Sequence, residues 1–182
     1  YKPEIETEPV NQTVIAKGTA TFSVVATAGN PSVTTYKWQV SEDGSTWTTI
    51  EGATEASYTI DEVTYSMNEN KYRVLVGNSE YVDEVISNTA TLTVGKIEVV
   101  RPTIEKTYTY NTLLQTLIPN GYDSTIMELS NNTRTNAGTQ EVVVTLKDAE
   151  NYVFDDGATE VKLSWTIEKA TPTIVLSTEK ID

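Results

Sequence analysis

The sequence of 182 residues contains no cysteine and no histidine. Without cysteine the chain cannot form a disulfide, a thiolate nucleophile, a zinc–thiolate site or an iron–sulfur centre. Without histidine it lacks the general base of a Ser-His-Asp or Cys-His arrangement and the imidazole ligand that many metal sites use. The two absences together exclude the commonest nucleophilic hydrolases and transition-metal sites.

Basic residues are also scarce, with 13 Lys and Arg against 26 Asp and Glu, which gives a formal net charge of −13. A phosphate backbone would be repelled, so we expect no nucleic-acid partner. Apolar runs such as Val142-Val143-Val144 are far shorter than the ~20 residues that span a bilayer, so we expect no membrane insertion. Because the chain begins with Tyr1 rather than Met, we interpret it as part of a longer protein.

The residues that are present favour β-strands. Threonine occurs 31 times, and β-branched side chains suit a pleated, half-buried surface. Apolar residues alternate between Thr19 and Thr27, and again from Val161 to Ile167, which is the period of a strand with one buried face. Asp43-Gly44 lies between two such segments and predicts a hairpin turn. The sequence therefore predicts an all-β protein.

A short Pro-x-Ile pattern occurs three times, at Pro3-Glu4-Ile5, Pro102-Thr103-Ile104 and Pro172-Thr173-Ile174. Proline is tolerated at the first residue of a strand, so each copy predicts the opening strand of a module. The spacing between copies matches the size of small sandwich domains. We therefore predict one module over residues 1–95, a second over 96–170, and a linker or first strand of a following module over 171–182.

The first module contains a series of glycine, aromatic and strand motifs: Gly18, Phe22-Ser23-Val24-Val25-Ala26, Gly29-Asn30-Pro31, Trp38, the stretch from Trp38 to Trp47, Tyr72-Arg73-Val74, and Ala90-Thr91-Leu92-Thr93-Val94. In these motifs it resembles a bacterial immunoglobulin-like domain that lacks the usual cysteines. The resemblance implies a two-sheet sandwich with Trp38 and Tyr72 in the core. It also implies that Val24 and Val74 occupy the positions of the missing disulfide.

The second module contains a different series of segments: Tyr108-Thr109-Tyr110-Asn111, Asn136-Ala137-Gly138-Thr139, Glu141 to Leu146, Asn151-Tyr152 and Leu163 to Ala170. In these segments it resembles a small β-sandwich repeat of bacterial surface proteins. Thr112 stands where these repeats have glycine. Trp165 lies at an apolar position of the last strand and is predicted to be in the core. The predicted fold class is therefore all-β, with tandem immunoglobulin-like β-sandwiches.

The acidic pairs are the first candidate sites, since carboxylates are the ligands that Ca²⁺ prefers. They are Glu42-Asp43, Asp61-Glu62, Asp83-Glu84 and Asp155-Asp156, the last followed by Gly157. None has the spacing of a calcium loop, and Asp before Gly is ordinary turn chemistry. A calcium site at the joint between modules, drawing on Glu98, Asp61 or Asp155, is the alternative. No carboxylate pair is marked as catalytic, so we predict no catalytic, cofactor-binding or metal-binding residues.

Aromatic residues and a possible covalent cross-link are the remaining candidates. An exposed platform for stacking sugars would draw on Tyr36, Trp38, Trp47, Tyr58 and Tyr72, although Trp38 and Tyr72 fall at core positions and Trp47 is expected to pack near Val40 across the hairpin. A Lys–Asn isopeptide bond is known among Gram-positive surface domains. Lys17 and Asn88 flank predicted strands and are candidates for such a bond, but the sequence does not select a partner for either.

These observations predict a non-catalytic pair of modules in a bacterial cell-surface or secreted protein, acting as a spacer or adhesion scaffold. Its partners would be neighbouring modules of the same chain and a host glycan or protein. The alternative is a carbohydrate- or protein-binding module of an adhesin or secreted enzyme, with Val63–Asn70 and Gly77–Glu84 as the contact loops. Decoration of a phage particle is a third possibility.

Overall fold

The computed structural model describes residues 2–27 and 33–172, with only the backbone described at 81–83. Nearly all of its regular structure is β-strand, and the chain divides into two compact units. The first unit, unit 1, comprises Tyr1–Ile97 together with Glu150–Tyr152, and unit 2 comprises Glu98–Ala149 with Val153–Asp182. The fold class is all-β, with tandem immunoglobulin-like sandwiches. The module boundaries at 95 and 170 stay a prediction.

Unit 1 contains ten strands among the described residues, arranged as a large sheet and two paired ribbons. The large sheet has the order β2-β10-β8-β5-β6 with β9 also on β8, and the ribbons are β1-β4 and β3-β7. The strands are β1 Glu4–Thr7, β2 Gln12–Ile15, β3 Ala20–Ser23, β4 Val25–Thr27, β5 Thr34–Ser41, β6 Thr48–Thr49, β7 Ser57–Ile60, β8 Lys71–Asn78, β9 Tyr81–Ile86 and β10 Ala90–Gly95. One turn of 3₁₀ helix spans Tyr65–Met67.

The predicted strand from Thr19 to Thr27 is confirmed in its burial and corrected in its continuity. Ala20, Phe22 and Val24 are buried, and the residues between them are exposed. The strand is interrupted at Val24, so that β3 pairs with β7 and β4 pairs with β1. One alternating run therefore serves two strand partners, which the alternation itself cannot reveal.

The N-terminal segment of unit 1 changes sheets at Pro9. Strand β1 pairs antiparallel with β4, whereas β2 pairs parallel with β10 through Leu92↔Gln12 to Gly95↔Ile15. Pro9 is buried between the two strands, and because proline has no N–H it interrupts the hydrogen-bond ladder there. Strand β2, near the start of unit 1, is thus hydrogen-bonded to the last strand of the large sheet, β10.

The core of unit 1 is built around Trp38, Phe22 and Tyr72, which are at most 3 % exposed. The rings of Phe22 and Tyr72 stack with centroids 4.5 Å apart, and the Trp38 indole N–H donates to the carbonyl of Glu55 at 2.9 Å. Val24 and Val74 are 4 % and 0 % exposed, as the resemblance implies. Apolar burial at these two positions contributes about 1.5–3 kcal/mol each.

The remaining strands form one four-stranded sheet and two ribbons. The sheet has the order β12-β18-β16-β14, with ribbons β13-β15 and β11-β17. The strands are β11 Ile97–Val99, β12 Tyr108–Thr109, β13 Gln115–Thr116, β14 Met127–Ser130, β15 Thr133–Arg134, β16 Gly138–Leu146, β17 Tyr152–Phe154 and β18 Glu160–Glu168. Strand β12 pairs parallel with β18 through two residue pairs, Tyr108↔Ile167 and Thr109↔Glu168.

The core of unit 2 is centred on Trp165, which is 1 % exposed as predicted. Tyr108 meets it edge-on, with ring centroids 5.2 Å apart, and Leu117 and Val142 complete the cluster. The Trp165 indole N–H is buried, and no acceptor within residues 2–27 and 33–172 contacts it. This core therefore carries the cost of an unpaired donor, which the core of unit 1 avoids.

Of the predicted opening strands, the second is wrong and the third is outside the described residues. Pro102-Thr103-Ile104 does not open a strand. The preceding strand, β11, ends at Val99, and Thr103 makes only an isolated bridge to Asn120. Pro102 is buried and lacks the N–H that a ladder would need. The predicted strand from Thr173 onward lies outside the described residues.

Candidate functional site

The acidic turn after β5 closes on itself. The Asp43 carboxylate accepts hydrogen bonds from the backbone N–H groups of Ser45 and Thr46, at 2.8 and 2.7 Å, and from the hydroxyl groups of Thr46 and Ser41. The Thr46 backbone N–H, followed by that of Ser45, holds the pKa of this carboxyl well below its usual range. Asp43 therefore orders the turn.

Other predicted acidic pairs also have local partners. Asp156 forms an ion pair with Arg101 and accepts a hydrogen bond from the N–H of Ala158 at 3.0 Å. Glu84 pairs with Lys37, and the side chain of Asp83 is not described. Among residues 2–27 and 33–172, carboxylates do not gather in threes where a metal ion could sit. The prediction of no metal or cofactor residues stays a prediction.

The predicted aromatic platform is divided between the interior and the surface. Trp38 and Tyr72 lie in the core, where Tyr58 packs beside both with ring centroids 6.2 and 6.1 Å away. Burial raises the pKa of the Tyr58 and Tyr72 hydroxyls. Trp47 is half-buried, and the structure places its ring against the guanidinium of Arg73 at 4.0 Å. The five aromatic residues therefore do not form one exposed platform.

The first predicted contact loop, Val63–Asn70, is tied to the last strand of its domain. Val63 is fully buried, and the Asn68 side chain accepts a hydrogen bond from the N–H of Val94 at 2.7 Å. Glu69, in a left-handed conformation, donates its N–H to the carbonyl of Leu92. These bonds make the loop a structural part of the sandwich. The second loop continues as the β8-β9 hairpin.

Lys17 and Asn88 have different partners. The Lys17 Nζ lies 4.7 Å from the centroid of the Tyr152 ring, and the backbone N–H of Asn88 donates to the carboxylate of Glu8 at 2.8 Å. These contacts give no support to an isopeptide bond that uses Lys17 or Asn88.

The outer face of the large sheet in unit 1 carries three basic side chains. Lys37, Gln39, Lys71 and Arg73 occupy outward positions of β5 and β8, alternating with buried residues. Trp47, just before β6, covers the Arg73 guanidinium. We name these five residues the basic face. Sequence reasoning missed it because Lys37 and Arg73 are far apart in the chain, and only the β5-β8 register brings their strands side by side.

No helix in the described part of the chain has the length and apolar character needed to cross a membrane. Residues 6–96 match the model of a family described as "Domain of unknown function (DUF8696)". No curated protein matches the chain.

Solved structures that match the chain include Ig-domain fragments. One is the N-terminal Ig1-2 module of the Drosophila receptor protein tyrosine phosphatase DLAR, at 17% identity and a TM-score of 0.39, covering 92% of this chain and 100% of that one. Another is the four-domain fragment of Dscam1 isoform 6.9, at 12% identity and a TM-score of 0.45, covering 93% and 46%. Murine CRIg matches at 19% identity and a TM-score of 0.37, covering 53% of this chain and 100% of that one. The fold assignment rests on the strand pairing and burial described above.

Proposed function

The chain belongs to the family described as "Domain of unknown function (DUF8696)". We propose that this member is a non-catalytic spacer in a bacterial cell-surface or secreted protein. Its partners would be neighbouring modules of the same chain, with a host glycan or protein as the target that the array presents. Each unit has its own apolar cluster, centred on Trp38 in one and on Trp165 in the other. Modules with separate cores can be placed in series without sharing an interior.

The observation that carries the proposal is the pairing of terminal strands. In unit 1 the early strand β2 runs parallel to the final strand β10 over four residue pairs. Pulling the two ends of the unit in opposite directions loads such a pair in shear, so its hydrogen bonds must yield together rather than one after another. In unit 2 the corresponding pair is β12 and β18, with two residue pairs. This geometry suits a module that transmits force along a chain.

The net charge of −13 supports the same function, because like charge keeps a protein soluble and discourages its association with further copies.

The proposal of a surface location is tested separately, by labelling intact cells with an antibody raised against the 182-residue chain. Labelling only after the cells are lysed would contradict the location.

Single-molecule pulling on the 182-residue chain between N- and C-terminal handles tests the force-bearing role. We expect two unfolding events, with unit 1 yielding at the higher force. Val14→Pro, in the middle of β2, should lower that force because proline disrupts the pairing with β10. Val10→Pro is the matched control, since Val10 is exposed and lies between strands β1 and β2.

Two results would contradict the proposal: an unfolding force for unit 1 that Val14→Pro leaves unchanged, or a unit 1 that unfolds at no higher force than unit 2.

A further inference from the structure

The basic residues of unit 1 are concentrated on one surface. Up to residue 95 the sequence has 13 Asp and Glu but only five Lys and Arg: Lys2, Lys17, Lys37, Lys71 and Arg73. Three of the five, Lys37, Lys71 and Arg73, belong to the basic face. A random scatter of five cations over an acidic domain would not be expected to place three of them on two adjacent strands.

Two of these three cations have no acidic partner among the described residues. Lys37 is paired, since its Nζ lies 2.9 Å from Oε1 of Glu84. No carboxylate in that part of the chain lies within ion-pair distance of Lys71 or Arg73. The nearby Asp43 carboxylate is engaged by the hydrogen bonds of its own turn. Lys71 and Arg73 therefore carry charges that no described carboxylate neutralises.

Arg73 is held in a fixed orientation. Its Nε–H donates to Oε1 of Gln39 at 2.8 Å, and the Gln39 amide donates in turn to the Thr49 hydroxyl at 3.3 Å. The guanidinium carbon lies 4.0 Å from the centroid of the Trp47 ring. These contacts use one donor and one flat face, and they leave the Nη1 and Nη2 groups without an acceptor in the described chain. An oriented guanidinium with free Nη donors is suited to bidentate binding of a carboxylate.

We propose that the basic face binds an extended acidic polypeptide segment, with one carboxylate on Nη1 and Nη2 of Arg73 and the next on Nζ of Lys71. Lys71 and Arg73 are two residues apart on β8, a spacing of about 6.6 Å along the strand. Alternate side chains of an extended polypeptide repeat at the same distance, so carboxylates at positions i and i+2 match the two cations. This binding role goes beyond the proposed spacer function and does not depend on it.

The Trp47 contact favours a polypeptide over an acidic polysaccharide. Sugar recognition relies on an open aromatic face, but the guanidinium of Arg73 already covers one face of this half-buried ring. The acidic excess of the rest of unit 1 would repel the same ligand elsewhere and so restrict it to this face. Binding should weaken as salt increases, because its contacts are exposed charges.

The test uses the 182-residue chain and a fluorescein-labelled ten-residue peptide of alternating Glu and Thr, with binding followed by fluorescence anisotropy at low and physiological salt. We expect saturable binding, and a change in Trp47 emission when a carboxylate reaches Arg73. Arg73→Lys keeps the charge but loses the bidentate fork, and should weaken binding about tenfold. Lys71→Gln should weaken it several-fold. Lys162→Gln, an exposed lysine of unit 2, is the matched control and should change nothing.

Circular dichroism of each variant keeps the result interpretable, since all three side chains face outward and the fold should persist. Absence of binding, or equal losses in Arg73→Lys and Lys162→Gln, would overturn the proposal. Tighter binding of an oligogalacturonate of matched charge would replace the polypeptide with a polysaccharide and overturn it as well.

Discussion

The cores of the two units differ in the hydrogen bonding of their buried tryptophan indole groups. In unit 1 the Trp38 indole N–H donates to the carbonyl of Glu55, and the rings of Phe22 and Tyr58 pack beside it. In unit 2 the Trp165 indole N–H is buried without an acceptor among the described residues, and Tyr108 is the one described aromatic ring that contacts it. Equal burial of a tryptophan therefore does not imply an equal contribution to stability.

The terminal strands and the backbone differ in the same direction. The parallel pair is four residues long in unit 1 and two in unit 2. Among the described residues, each unit has two non-glycine residues with positive φ, Lys17 and Glu69 in unit 1 and Thr112 and Asn131 in unit 2. Of these four, Thr112 is the β-branched one, and its left-handed φ of 70° costs about 1–2 kcal/mol. These features together indicate that unit 1 is the more stable unit and that unit 2 retains strain.

The largest expected effect comes from replacing each tryptophan by phenylalanine. Trp38→Phe loses side-chain volume and the hydrogen bond to Glu55, whereas Trp165→Phe loses volume but also removes an unpaired donor. Trp38→Phe should therefore cost about 1–2 kcal/mol more in the free energy of unfolding of its unit. Denaturant unfolding followed by NMR signals of each unit measures the difference. Equal costs would show that the Trp165 donor is satisfied in solution.

A smaller, stabilising effect is expected from Thr112→Gly. Glycine adopts a φ of 70° without steric cost but loses more backbone entropy, so the net gain should be about 0.5–1 kcal/mol in unit 2. Thr112→Asn should give part of that gain, because asparagine tolerates the left-handed region. The control is Thr109→Gly in β12, which should destabilise the unit. A lower free energy of unfolding for unit 2 in Thr112→Gly would contradict the claim that Thr112 is strained.

The smallest expected effect is on the stability of unit 1 at acidic pH. Hydrogen bonds from the Thr46 and Ser45 N–H groups lower the pKa of Asp43 in the folded state below its ordinary value of 3.8. A carboxyl lowered in this way stabilises the fold above its unfolded pKa, and the contribution is lost as pH falls from about that value through the folded pKa. Unit 1 should therefore lose stability below about pH 4, and Asp43→Asn should flatten this dependence. An unchanged acid profile in the variant would remove Asp43 as the cause.

Alternation predicted the strands whose two faces differ most. Ala20, Phe22 and Val24, and likewise Val161, Trp165 and Ile167, point inward as expected. Strand partners could not be predicted in this way, because pairing depends on residues far apart in sequence. For that reason the switch at Val24, the parallel β2-β10 pair and the missing strand at Pro102 became visible only in the structure.

The candidate surface was missed for the same reason. Each of its strands reads as ordinary alternation, and the polar partners Gln39 and Arg73 are 34 positions apart in the sequence. Thr112 gave a partial signal, as a departure from the glycine of the repeats that unit 2 resembles. Its positive φ supplies the physical reason why glycine would suit that position.

Native-state hydrogen exchange across a denaturant series tests the central claim, that two separately closed cores lie along this chain. The account predicts two groups of amides that open at different denaturant concentrations, with the β16-β18 amides of unit 2 exchanging before the β5-β8 amides of unit 1. A single opening transition shared by both sets would contradict it.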